Sequence, residues 1–355
     1  MTKNKTYFAY ADTCFGTVNY FDNIFDSNNL EKIYVIKACF DSSFLNEIAR
    51  IAANKKYTAE YFLFPFELNC LNGIIIKEMK AIILYDNFNI SKYPVIIENI
   101  INFGDMYDES KLIKRKKEIL ELAAIKNEYM NLSYKFLRAA NELCENNIEL
   151  SNKYINYDKL DFSINRLINK YINERNSFNE KIKNNRIIDE YKFINSISSS
   201  GYIELDTFEN EAKKIFYISN ENFLGWHYMK IIAEKFPKMC KVICPDALNP
   251  KRIRAIYLKD LKIFFVIKNK VLNKNYDEKY NFINMERFVN LQFKKENKQK
   301  LKFIQKCYKS IFYEAIKYLK ESEIINKEIE NIYLSAIIPD KKNKLTEEFI
   351  QKILP

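Results

Sequence analysis

The sequence predicts an α/β protein made of two tandem repeats, each a parallel sheet flanked by helices and followed by a long helical extension. Three observations support this fold class. Segments recur in the same order at a nearly constant spacing, short apolar runs alternate with helical patterns, and long amphipathic segments close each half. We therefore divide the chain into a first repeat, 1–175, a linker, 176–190, and a second, more basic repeat, 191–355.

The duplication is visible in several pairs of segments. KIYVI at 32–36 recurs as KIFYI at 214–218, and IKEMK at 76–80 recurs as LKDLK at 258–262, both after 182 residues. The opening segments match after 185 residues, and single residues of the late helical segments match after 179. The common order of these matches indicates one plan used twice.

The plan of each half follows from its apolar patterns. Continuous apolar runs such as AIILY are typical of strands covered on both faces, and their alternation with helical segments favours parallel pairing. The predicted strands are 32–37, 59–64 and 80–86 in the first half, and 213–218, 240–244 and 262–268 in the second. The predicted helices are 42–53, 108–148 and 158–173, then 226–235, 294–331 and 345–354. The main strand of each half, 32–37 or 213–218, is expected at the centre of its sheet.

Composition excludes several classes of protein. The chain has 355 residues, of which 48% are hydrophobic, too many for a disordered protein. Lysines interrupt every apolar stretch before it reaches the length of a membrane helix, and the start lacks the apolar core of a signal peptide. The seven cysteines are scattered singly, which favours reduced thiols. We expect a cytoplasmic protein without a membrane partner.

Glycine and histidine are too rare for the common catalytic sites. No two of the five glycines lie within ten residues of each other, whereas loops that bind phosphate through backbone N–H groups need glycines in clusters. A single histidine leaves little material for a triad or a histidine-rich metal site. No metal and no catalytic residue is predicted.

Basic residues are concentrated in the second half. Residues 1–150 carry a net charge of −2 and residues 151–355 a net charge of +13. Within 251–262, five basic side chains near an aromatic residue could bind a polyanion, although a solvated lysine-rich face is the simpler interpretation. The five are Lys251, Arg252, Arg254, Lys259 and Lys262.

The order of segments resembles a known family. The opening YFAYADTCFGTVNYFDNIF is followed by KIYVIKA, SSFLNEIA, CLNGIIIKEMKAII and ENIINFGDMYDESKL. This arrangement resembles a poorly characterised group of bacterial tandem P-loop ATPase-like proteins, in which each half carries a Walker-type loop of the form GGPGTGKST before a helix. The resemblance covers nearly the whole chain and implies two P-loop-NTPase-like repeats.

The first half departs from that loop. Asp41 falls at the position of the Walker lysine, Ser42 and Ser43 fall at the Ser-Thr pair, and about three loop residues are missing. An aspartate would repel the phosphates that the lysine attracts. The two serines could simply cap the following helix. Asp86, at the end of the third strand, could replace a Mg²⁺-binding carboxylate or could be an exposed strand-end residue.

The second half departs differently. Its loop keeps its length, but Gly225 replaces the lysine, and Trp226 and His227 replace the Ser-Thr pair. An aromatic residue there could stack on a base or fill the vacated phosphate site, and ordinary packing is the simpler alternative.

The expected function is therefore that of a catalytically degenerate ATPase-like protein that acts as a scaffold, regulator or assembly partner. Catalysis stays an open question, with a non-enzymatic role favoured. No cofactor is expected, and ATP with Mg²⁺ would bind only as a weak residual ligand. The expected partner is an unidentified protein. A residual nucleotide-binding protein and a nucleic-acid-associated protein are the two alternatives.

Overall fold

The computed structural model describes residues 5–28, 30–40, 43–65, 68–85, 97–172, 189–236, 240–268 and 279–353. Eight strands belong to the first half: β1 (Lys5–Phe8), β2 (Tyr10–Thr13), β3 (Gly16–Asn19), β4 (Lys32–Lys37), β5 (Ala59–Leu63), β6 (Leu71–Ile76), β7 (Ala81–Tyr85) and β8 (Ile97–Asn102). Eight belong to the second: β9 (Glu190–Tyr191), β10 (Asn195–Ser198), β11 (Gly201–Glu204), β12 (Lys214–Ser219), β13 (Lys241–Pro245), β14 (Ile253–Leu258), β15 (Ile263–Lys268) and β16 (Tyr280–Ile283). The helices are α1 (Phe21–Asn28), α2 (Ser43–Asn54), α3 (Glu109–Lys114), α4 (Lys116–Asn152), α5 (Tyr157–Ile172), α6 (Gly225–Lys235), α7 (Leu291–Glu296), α8 (Lys298–Ser335) and α9 (Pro339–Ile353).

The two halves contain sheets of identical topology. The strand order is β1-β5-β6-β7-β4-β8 in one sheet and β9-β13-β14-β15-β12-β16 in the other. Even the register repeats, since Lys32 pairs with Ala81 and Lys214, 182 residues later, pairs with Ile263. An α/β architecture with two sheet-bearing halves is thus confirmed.

Each sheet is mixed, with three parallel and two antiparallel pairings among its six strands. The run 71–76, which the sequence left without a structure, is the antiparallel strand β6. Only four residues, 77–80, separate it from β7, and such a short connection can join only antiparallel neighbours. The main strand β4 is not central, because β8 alone lies beyond it, and β12 has the same place beside β16.

Burial explains the strands and the helices that cover them. Ile33, Tyr34, Val35 and Ile36 of β4 are all buried, as a strand covered on both faces requires. Helix α2 buries one stripe at helical spacing, formed by Phe44, Leu45, Ile48 and Ala52.

The two longest helices join the halves. Helices α4 and α8 pack antiparallel: the Ser133 hydroxyl donates to the Ala315 carbonyl at 3.0 Å, and Lys126 donates to the side chain of Asn326 at 3.1 Å. Ser133 and Ala315 occupy equivalent positions of the two repeats, 182 residues apart. Contact between equivalent positions places a pseudo-twofold axis at this point.

The helix that ends each half covers the sheet of the other half. Leu160 and Ile164 of α5 are buried with Ile218 and other residues of the second sheet, whereas Phe349 of α9 is buried with Tyr34 of the first. Backbone hydrogen bonds repeat this exchange, with Asp108 N donating to Ala336 O at 2.8 Å and Asn290 N donating to Tyr154 O at 3.0 Å. Packing units therefore differ from the segments 1–175 and 191–355 of the chain. Of the predicted linker 176–190, residues 176–188 lie outside the described residues.

Candidate functional site

The connections from main strand to helix are equally long in the two halves. Residues 38–42 join β4 to α2 and residues 220–224 join β12 to α6, five residues in each case. The expected deletion of about three residues in the first half is therefore wrong. Ser43 and Gly225 are the equivalent first residues of the two helices. Because Asp41, Ser42 and Asp86 lie outside the described residues, their predicted roles stay predictions.

This register changes the equivalents of two other candidates. Trp226 corresponds to Phe44 and His227 to Leu45, not to the two serines. All four side chains are buried. Trp226 and His227 therefore occupy core positions at the start of α6, in agreement with the packing interpretation.

The second-half junction binds its own backbone groups. Gly225 N donates to Asn220 Oδ1 at 3.0 Å and His227 N donates to the Leu224 carbonyl at 3.2 Å. A Cβ at Gly225 would lie 3.1 Å from the Ser219 carbonyl, so close approach explains this glycine. An N–H group that is already paired inside its own loop is not available to a phosphate.

His227 is held by helices of the first half. Its Nε2 lies 3.0 Å from Ser151 Oγ of α4, and its Nδ1 lies 3.0 Å from Tyr157 Oη of α5. Burial, with a smaller contribution from Lys230, lowers the pKa of His227 to about 4. The imidazole is therefore neutral at pH 7, and its two hydrogen bonds hold the exchanged helices in place.

Beside His227, a cleft opens at the carboxyl ends of β12 and β16. It encloses about 370 Å³ of empty space. Residues 222–224 follow β12 and residues 286–294 follow β16, and α4 supplies the remaining wall. The lining residues are Asn147, Ser151, Asn222, Leu224, Glu286, Val289, Leu291, Lys294 and Leu301.

Charged groups surround the mouth of the cleft. Glu286 forms an ion pair with Lys294, and a hydrogen bond from Lys294 lowers the pKa of Glu286. A hydrogen bond with Glu286 raises the pKa of the neighbouring Glu221. One lysine thus faces two carboxyl groups, which lets this rim release or take up a proton.

The floor of the cleft contains an unpaired amide. Asn147 is fully buried, and both its Nδ2 and its Oδ1 lack a hydrogen-bond partner among the described residues. The other polar side chains of the lining have partners: Ser151 contacts His227, Asn222 accepts from Gln305 at 2.8 Å, and Glu286 and Lys294 bind each other.

The equivalent place in the first half is filled. Phe40, equivalent to Asn222, stacks on Tyr333, equivalent to Ser151, with ring centroids 3.9 Å apart. Tyr107 packs against the same Tyr333 ring at 5.6 Å. Ile329 stands where the second site has Asn147. One plan has thus produced a polar cleft in one half and an aromatic core in the other.

The two arginines of the candidate polyanion patch are not exposed. Arg254 is buried on β14, and its Nε donates to Glu204 Oε1 at 3.1 Å. Arg252 donates to Asn141 Oδ1 at 2.7 Å and packs over the ring of Trp226. Their charges serve internal contacts.

The three lysines of the candidate patch point to different surroundings. Lys259 forms an ion pair with Glu190, and Lys262 lies in the turn between β14 and β15. Lys251 is exposed, with its Nζ 4.9 Å from the centre of the Phe15 ring. The five side chains therefore do not form one exposed basic surface.

Sequence reasoning missed the residues of the cleft. Asn147 and Ser151 lie in a segment correctly predicted as helical, but an asparagine or serine there is read as part of a solvated face. The available signal was the comparison between repeats, which sets Asn147 against Ile329 and Ser151 against Tyr333.

The chain matches no protein-family model, no curated protein and no solved structure at a significant level. Within the described ranges, no group of three or more histidine, cysteine or acidic side chains is placed to hold a metal ion. No helix of those ranges has both the length and the apolar character needed to cross a membrane.

Proposed function

We propose that the protein is a non-catalytic scaffold, regulator or assembly partner that descends from an ATPase-like architecture and does not hydrolyse nucleotides. One observation carries this proposal: the strand-to-helix junction of the second half binds its own backbone groups. Gly225 N is taken by Asn220, and neither a lysine nor a hydroxyl occupies the first turn of α6. Phosphoryl transfer depends on groups that position and neutralise the phosphates, and this junction supplies none.

A role in assembly is supported by the surface of the long helices. Large apolar side chains stay exposed along α4 and α8, among them Leu120, Ile125, Phe303 and Tyr313. Exposed apolar residues on otherwise polar helices favour contact with another protein. The exchanged terminal helices join both halves into one body, which suits a scaffold better than a hinged enzyme.

The test is a titration with ATP and with GTP, each with and without Mg²⁺. Trp226, the only tryptophan, adjoins the junction, so its fluorescence reports binding there, while released phosphate reports hydrolysis. We expect no phosphate release above that of buffer and no saturable change in fluorescence.

The control is Gly225→Ala, whose added Cβ crowds the Ser219 carbonyl. Hydrolysis that persists unchanged in this variant comes from a contaminant. Hydrolysis by the wild type that the variant abolishes, with its circular dichroism spectrum unchanged, would contradict the proposal.

A further inference from the structure

We propose that the cleft between α4 and the β12–β16 edge binds a small planar molecule with a hydrogen-bond donor beside an acceptor, as in a primary carboxamide or a nucleobase. This inference goes beyond the proposed function and does not depend on it. It begins from the amide of Asn147, which is buried in the floor of the cleft without a partner.

An unpaired buried amide is costly, and folded proteins contain few of them. The side chain of Asn147 presents a donor, Nδ2, and an acceptor, Oδ1, in one plane. The group that satisfies both at once carries an acceptor next to a donor in the same plane, and asparagine pairs with adenine edges in this way.

The walls define the remaining shape of the ligand. Leu224, Val289 and Leu301 give the cleft apolar sides. A volume of about 370 Å³ lies near the lower end of the range of small-molecule sites. Apolar sides with one convergent polar group suit a flat ring that carries its hydrogen-bonding edge inward.

The duplication shows that the fold does not require an asparagine here. Ile329 occupies the same position of α8 and is buried within the first-half core. Phe40 and Tyr333 close the space that Asn222 and Ser151 leave open. The second half therefore keeps a polar floor and an open cleft where the same architecture has a packed alternative.

The experiment is isothermal titration of the full chain with named probes. Nicotinamide and benzamide represent carboxamides, adenine and cytosine represent nucleobases, and benzoate and toluene lack the paired edge. We expect saturable binding of at least one of the first four and none of toluene. Which of the two probe groups binds identifies the source of the edge.

The decisive variant is Asn147→Ile, which copies Ile329. Loss of a bidentate pair weakens binding by about 5- to 150-fold. The matched control is Asn72→Leu, because Asn72 is also fully buried with both amide atoms unpaired but lies on β6, outside the cleft. We expect the control to bind like the wild type.

A second variant protects the test against misfolding. Ser151→Tyr combined with Asn222→Phe rebuilds the Phe40–Tyr333 stack in the second half, and it should abolish binding. Absence of binding by all four paired-edge probes, or equal affinity in Asn147→Ile and the wild type, would overturn the proposal. Tighter binding of benzoate than of benzamide would overturn the assigned chemistry.

Discussion

Asn147 and Ile329 show how one position of a duplicated helix can serve two purposes. Both are buried in the same register of paired helices, but only isoleucine gains from this burial without a partner. A residue that reduces stability at such a position is typical of a site kept for binding, since binding sites often retain unfavourable groups.

The first prediction concerns the stability of Asn147→Ile. Removing an unpaired buried amide recovers about 1–3 kcal/mol, and the isoleucine side chain fills part of the cleft. For a chain of this length, we expect the unfolding temperature to rise by about 1 °C per kcal/mol, measured by calorimetry. A lower unfolding temperature would show that the amide has a partner in the folded protein.

The second prediction concerns His227 and pH. Its folded pKa, about 4, is below the ordinary value of 6.5, so the unfolded state binds the proton first as the pH falls. Stability is present above pH 6.5 and is lost between pH 6.5 and 4, by about 2 kcal/mol between pH 7 and 5. Urea unfolding at both pH values should show this loss in the wild type.

The control for this prediction is His227→Leu, which copies Leu45 of the first repeat. Its stability should change less over the same pH interval by about that amount. An equal change in the two proteins would mean that other groups cause the pH dependence.

At the scale of elements, strands and helices were largely predictable and their pairing was not. The prediction 213–218 for a main strand is confirmed by Lys214–Ser219, because a continuous apolar run is a local signal. The position of β4 beside an edge depends on the hairpin of β6 and β7, whose first strand escaped notice as an apolar run after a polar turn. Pairing partners are set by such connections, which local patterns do not reveal.

The same hairpin turn is strained in both halves. Lys80 and Lys262 occupy equivalent positions with φ of 47° and 54°, a left-handed conformation that costs about 1 kcal/mol or more for residues other than glycine. Each carbonyl accepts hydrogen bonds from the start of the main strand, as from Lys213 N at 2.7 Å. The turn conformation is thus fixed by its place in the sheet.

The third prediction is that Lys262→Gly stabilises the protein. Glycine adopts this φ without a steric penalty, but it also gains freedom in the unfolded chain, so the net gain is about 0.5 kcal/mol. Chemical unfolding of the variant and the wild type measures the difference. The exposed Lys251→Gly is the control, and a loss of stability in Lys262→Gly equal to that of the control would contradict the assigned strain.

At the scale of the whole molecule, the exchange of terminal helices could not be read from the sequence. The amphipathic pattern of α9 shows that it covers an apolar surface, but both sheets offer one. The reciprocal bonds of Asp108 with Ala336 and of Asn290 with Tyr154 settle the choice, since each half holds the end of the other. Removing contacts of α9 should therefore affect residues about 300 positions earlier in the chain.

The fourth prediction follows from that separation. Phe349 of α9 is buried against Phe44, with ring centroids 5.2 Å apart, so Phe349→Ala should cost about 3–5 kcal/mol through lost packing and a cavity. Because the cavity adjoins the first sheet, native-state hydrogen exchange should lose protection mainly in α2 and β4 rather than in α6 and β12. Phe162→Ala on α5, a residue with 70% of its surface exposed, is the matched control and should leave both patterns unchanged. If Phe349→Ala instead loosened the second sheet first, each terminal helix would stabilise its own half in solution, and the exchanged arrangement would be wrong.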